Sequence, residues 1–96
     1  MKKLTTYRIN NNSGTHIVEM NIEHQILGVN YDPFTDHILL LVVEEECETK
    51  GIEFEVFYTG FEVDTMHTIH VGSGRCTYGG ERTEFHIFQN TLLILG

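Results

Sequence analysis

Apolar and polar residues alternate along most of the chain. In "IEFEVFYT", Ile52, Phe54, Val56 and Tyr58 fall on one face, and Glu53, Glu55 and Phe57 on the other. A period of two marks a half-buried β-strand, because successive side chains leave a strand on opposite sides. "HILLLVVEEE" departs from this: Ile38, Leu40 and Val42 point one way, and Leu39, Leu41 and Val43 the other. A strand apolar on both sides is expected in the middle of a sheet, covered on both faces. Its flanks favour strand over helix, with "YDPFTD" before it placing Pro33 in a turn and "CETKG" after it ending in glycine. No segment of helical length shows a 3.6-residue period with caps.

The pattern predicts strands at 4–9, 15–20, 25–31, 37–45, 52–59, 65–71 and 83–89, with an eighth at 91–95. Turn signals separate them at "NNNSG", "NIEH", "YDPFTD", "CETKG", "TGFEVD" and "GSGRCTYGGE". Strands and turns at this spacing predict a single all-β domain over 1–96, an antiparallel meander of six to eight strands forming a small sandwich or barrel. The leading pairing is a hairpin of 37–45 with 52–59. Residues 90–96 close the chain in the chargeless "TLLILG", a strand or tail expected to pack on its own sheet or on a neighbouring subunit. Two-faced strands in so short a chain point to a homo-oligomer.

Charge narrows the function classes. Six Lys and Arg stand against fourteen Asp and Glu, a net charge of −8. That argues against direct nucleic-acid binding, which rests on neutralising phosphates. The start "MKKLTTYRIN" has no apolar run behind it, and no stretch approaches the length of a membrane span. A cytoplasmic protein with reduced thiols at Cys47 and Cys76 is expected, without a membrane partner.

Candidate chemistry gathers in "HTIHVGSGRCTYGGER". On a strand His67 and His70 point to opposite faces and cannot share one ion, and their spacing to Cys76 matches no zinc motif. The glycine-rich part has no helix after it, so a phosphate loop of the helix-capping kind is excluded. What is expected is a mobile loop over 72–82 bringing Arg75, Arg82 and Tyr78 to an anionic, planar ligand, guanidinium for phosphate and ring for base. A solvated hairpin loop is the plain alternative. His70 and His86 are candidates for the same site, although His86 also suits a hydrogen-bonded core position. The acidic run Glu44, Glu45 and Glu46, with Glu53 and Glu55, reads either as a surface for a protein partner or as a solvated strand end that discourages edge pairing. The only serines, Ser13 and Ser73, sit beside glycines in turns, and no cofactor is implied. A non-enzymatic protein is expected, with a small Cys/His metal-dependent enzyme as the remaining alternative.

The segments "YRIN", "HIVEMNIEHQILGVNYD", "FEVFYTG" and "TEFHIFQ", over residues 7 to 89, resemble a family of small uncharacterised β-rich proteins of phages and prophages. Asn21 stands where that family favours proline, and Phe61 where a histidine often follows its "T-G". The resemblance implies a phage accessory protein working in the cytoplasm of an infected bacterium. In that setting the expected role is to counter host defence by sequestering a nucleotide-derived signal in an oligomer. The alternative is direct inhibition of a host defence or nucleic-acid-handling protein through the acidic face.

Overall fold

The computed structural model describes residues 1–62 and 68–90, and these form seven strands: β1 (Lys2–Asn10), β2 (Gly14–Asn21), β3 (His24–Asp32), β4 (His37–Glu45), β5 (Thr49–Tyr58), β6 (Thr68–Tyr78) and β7 (Glu81–Asn90). They make two antiparallel sheets, one in the order β1-β4-β3 and the other β2-β5-β7-β6. The all-β sandwich expected from the alternation is therefore present. The predicted strand at 91–95, the start of the one predicted at 65–71, and His67 lie outside the described residues.

The expected hairpin of 37–45 with 52–59 does not form. Strand β4 pairs with β1 and β3, and β5 pairs with β2 and β7, so 37–45 and 52–59 lie in different sheets. The reason is a fold in a longer ribbon. A hairpin turning at 33–36 pairs β3 with β4; its arms then bend together at 22–23 and 46–48 and continue as the pair β2–β5 in the second sheet. At the bend the arms stay bonded, Ile22 N–H to the Glu48 carbonyl (2.9 Å) and Glu45 N–H to the Glu23 carbonyl (3.0 Å). The Asn21 Oδ1 accepts from the Cys47 N–H at 2.9 Å, fixing the corner. Strands that switch sheets at a bend are a standard way to build the ends of a sandwich.

Alternation fills the core. Ile38, Leu40 and Val42 of β4 face Ile52, Phe54 and Val56 of β5 and Phe85 and Ile87 of β7, and all of these are buried. Leu39, Leu41 and Val43 lie on the outer side of the first sheet, where the described residues do not cover them. Strand β4 is central, as expected, but among the described residues no second layer packs on its outer face, where Leu41 is exposed and Leu39 and Val43 are half-buried.

The expected mobile loop at 72–82 is also overturned. Strands β6 and β7 run in register down to a two-residue turn at Gly79 and Gly80, both with positive φ (62° and 81°). A two-residue hairpin turn of this type requires left-handed backbone at both positions, which glycine adopts without cost. The other glycines permit close approach. A Cβ on Gly72 would lie 2.6 Å from Val29 Cγ2 of the opposite sheet, and one on Gly74 would lie 2.8 Å from the ring of the buried Phe85. "VGSG" is thus a strand passing beneath bulky neighbours. A bulge between His70 and Gly72 shifts the register there.

Candidate functional site

The register of β6 with β7 sorts the chemistry of this hairpin by face. Ser73, Arg75 and Thr77 pair with His86, Glu84 and Arg82, and all six belong to the outer face of the second sheet. Gly74 and Cys76 pair with Phe85 and Thr83 on the inner side. Arg75 and Arg82 are diagonal neighbours on adjacent strands, a separation of about 7–8 Å between backbones in ordinary antiparallel geometry. Both line a cleft of about 420 Å³, together with Tyr31 from β3 and Cys76, Thr77, Thr83 and Glu84.

Neither arginine makes a hydrogen bond or ion pair among the described residues. Glu84, directly across from Arg75, has its Oε1 at 3.2 Å from His86 Nε2 instead. Two of the six cationic residues of a chain with net charge −8 are therefore unpaired at one cleft.

Behind the cleft lies a polar network at one end of the sandwich. The buried Asn11 donates from Nδ2 to the Thr77 carbonyl (2.9 Å) and to Asp36 Oδ1 (3.0 Å), and its Oδ1 accepts from the Tyr58 hydroxyl (2.6 Å). The Tyr31 hydroxyl donates to the same Asp36 oxygen. Hydrogen bonds from Tyr31 and Asn11 hold the Asp36 carboxyl below its usual range, and the bond to Asp36 raises the Tyr31 hydroxyl. Burial pushes the Cys76 thiol up, which makes it a poor nucleophile at neutral pH. The network fixes Tyr31 and the Thr77 backbone, so the cleft is braced from within.

Of the five ligand residues expected from the sequence, the structure brings Arg75 and Arg82 together in the cleft. Tyr78 is elsewhere: its ring stacks on Tyr58 with centroids 4.1 Å apart. His70 and His86 lie further along the outer face, 5.8 Å apart by ring centroids, and His70 meets the edge of Phe88 at 5.2 Å. Tyr31 and Thr83 escaped sequence reasoning, since only the packing of β3 beside β6 brings Tyr31 to this hairpin.

The acidic set divides too. Glu44 is no part of an acidic surface. It is 3% exposed and accepts from the Tyr7 hydroxyl at 2.7 Å, the Thr5 hydroxyl at 3.0 Å and the Asn21 N–H at 3.3 Å. Strand parity puts it on the inner side with Val42. Burial alone would raise its pKa, but the hydrogen bonds from Tyr7, Asn21 and Thr5 outweigh it, and the carboxyl lies below its ordinary value. Glu45 is on the outer side of the first sheet and Glu46 is exposed in the bend. Glu53 and Glu55 share the outer face of the second sheet with Glu84, and Asn90 donates to Glu53 at 3.3 Å.

Among the described residues no group of three His, Cys, Asp or Glu side chains is placed to hold a metal ion. Cys47 is exposed and Cys76 buried, both as free thiols. No helix among the described residues is long and apolar enough to cross a membrane. No family model, curated protein or solved structure matches the chain.

Proposed function

We propose that this protein is a binding protein for a small phosphate-bearing ligand, held at the β6–β7 cleft by Arg75 and Arg82. The observation that carries the reading is the pair of unpaired guanidinium groups on one cleft of an acidic protein. A guanidinium presents donors in a planar fork that matches phosphate oxygens, and two on adjacent strands can grip one or two phosphate groups. Thr77 and Thr83 supply hydroxyls, and the Tyr31 ring offers a flat wall. These groups bind, but they contain no activated nucleophile, which favours sequestration over catalysis. In the phage setting implied by the sequence resemblance, the ligand is a nucleotide-derived defence signal, and binding removes it from the host cytoplasm.

Calorimetry with a cyclic dinucleotide, ADP and pyrophosphate tests this. Arg75→Ala and Arg82→Ala are each expected to weaken binding at least about tenfold, with little change in stability because both side chains are exposed. The double charge reversal Glu53→Lys with Glu55→Lys should leave binding intact. Absence of binding by all three probes, or binding indifferent to both arginines, would overturn the proposal.

A second reading keeps the acidic face as a docking site for a basic host protein. Its support is that Glu19, Glu53, Glu55 and Glu84 belong to one outer face. Here the Glu53 and Glu55 reversal would abolish binding and the arginine variants would not.

A further inference from the structure

The first sheet turns an apolar stripe outward. Leu4 of β1 and Leu39, Leu41 and Val43 of β4 occupy its outer face, with Leu27 bulging from β3 beside them. Leu4, Leu27 and Leu41 are 64%, 50% and 41% exposed. Between β4 and β3 the stripe is hollowed: Gly28 lacks a side chain opposite Leu41, and Thr6, Gly28, Val29, Asn30, Leu39 and Leu41 line a groove of about 290 Å³. Contiguous apolar surface with a hollow in it marks a contact site.

Charge selects the occupant. The charged groups on this face are Lys2 and Glu45 at one end, where the Met1 ammonium lies 2.7 Å from Glu45 Oε1, and Arg8 with Asp32 at the other. Arg8 Nη1 lies 3.4 Å from Asp32 Oδ2. This face carries no net negative charge, whereas the whole chain carries −8. Two copies of so acidic a protein repel one another through most of their surface, but not here. A two-fold axis along β4 would lay β1 of one copy over β3 of the other. Leu39, Leu41 and Val43 would then meet themselves, and each Arg8 would lie across from the second copy's Asp32. An isologous contact needs this kind of self-complementarity.

We infer that the outer face of the β1-β4-β3 sheet is the site where a second copy of this chain docks. Three nine-residue strands make a face about 30 Å long and about 14 Å wide, or about 420 Å² per copy, the size of a weak, transient contact, so association in the high micromolar range is expected. The inference is independent of the ligand cleft, which is lined by the β6–β7 hairpin and by Tyr31 from the inner side of β3.

Sedimentation equilibrium from about 1 to 500 μM protein should show a species of twice the 11.1 kDa chain mass. Leu41→Glu should raise the dissociation constant more than about a hundredfold, because a symmetric interface carries the change twice. Gly28→Lys should do the same by filling the groove. A Cβ there meets nothing within 4 Å in the single chain and the backbone φ is not positive, so the variant keeps the monomer fold. Ile17→Glu, on the outer face of the second sheet, should leave the dimer unchanged. A wild-type monomer across the range would overturn the inference and leave the face to residues 91–96 or another partner. A dimer that survives both Leu41→Glu and Gly28→Lys would overturn it as well.

Discussion

The two ends of the sandwich are both stoppered by buried polar side chains, but they do different work. At one end Glu44 is ringed by Thr5, Tyr7 and the Asn21 N–H. At the other, Asn11 joins Tyr58, Asp36 and the Thr77 carbonyl, and the network stands directly behind the cleft of Arg75 and Arg82. The first keeps a charge inside, satisfied on several sides, and closes the barrel of side chains where the ribbon bends. The second is neutral at its centre and positions groups that face outward. A buried polar cluster is a structural device when its partners are all internal, and part of a site when it holds the wall of a cleft.

The largest expected effect tests the closed end. Glu44→Ala removes the acceptor of the Tyr7 and Thr5 hydroxyls and should destabilise by about 3 kcal/mol, read by urea unfolding, without changing ligand affinity. At the cleft end, Asn11→Ala leaves the buried Tyr58 hydroxyl unpaired and removes one of the two side-chain donors to Asp36. It should cost about 2 kcal/mol and also weaken binding of pyrophosphate. If Asn11→Ala changes stability alone, the distinction between the two ends collapses.

Gly72→Ala should cost about 1–3 kcal/mol in thermal unfolding, since its new methyl would meet Val29 Cγ2 at 2.6 Å. A neutral result would return "VGSG" to the flexible loop first expected there.

The smallest effect is in pH dependence. Because the folded Glu44 carboxyl lies below its ordinary value, its ionisation stabilises the fold above the unfolded carboxylate pKa. That contribution is lost as pH falls through the lower, folded value. Unfolding measured from neutral to acid should show stability declining in this window, and Glu44→Gln should flatten the decline. The Tyr7 hydroxyl, pushed up to about 12 by burial and then by its bond to Glu44, stays protonated throughout.

Much of the architecture was legible because strand periodicity is local. The expected limits of β4, 37–45, coincide with the observed strand, and the inward residues of β5 followed from parity. The pairing of β4 with β5 was misread because adjacency in sequence favours a hairpin, and only contacts across the bend show the two strands parting. Glycine in "GSG" reads as loop because sequence cannot separate a glycine that gives flexibility from one that admits a neighbour's side chain. Arg75 and Arg82 could be singled out as rare cations in an acidic chain, and Tyr31 could not.

The sequence by itself determined the all-β class and, for every described strand but β6, the position along the chain, since these follow from alternation within a few residues. It also determined the acidic charge against which two arginines stand out. Tertiary structure decided which strands share a sheet, that Glu44 is inside, and that Tyr31 and Asn11 brace the cleft. It also decided that the outward leucines of β4 remain uncovered by the described residues. Each of these depends on contacts between residues far apart in the chain, which no local pattern encodes.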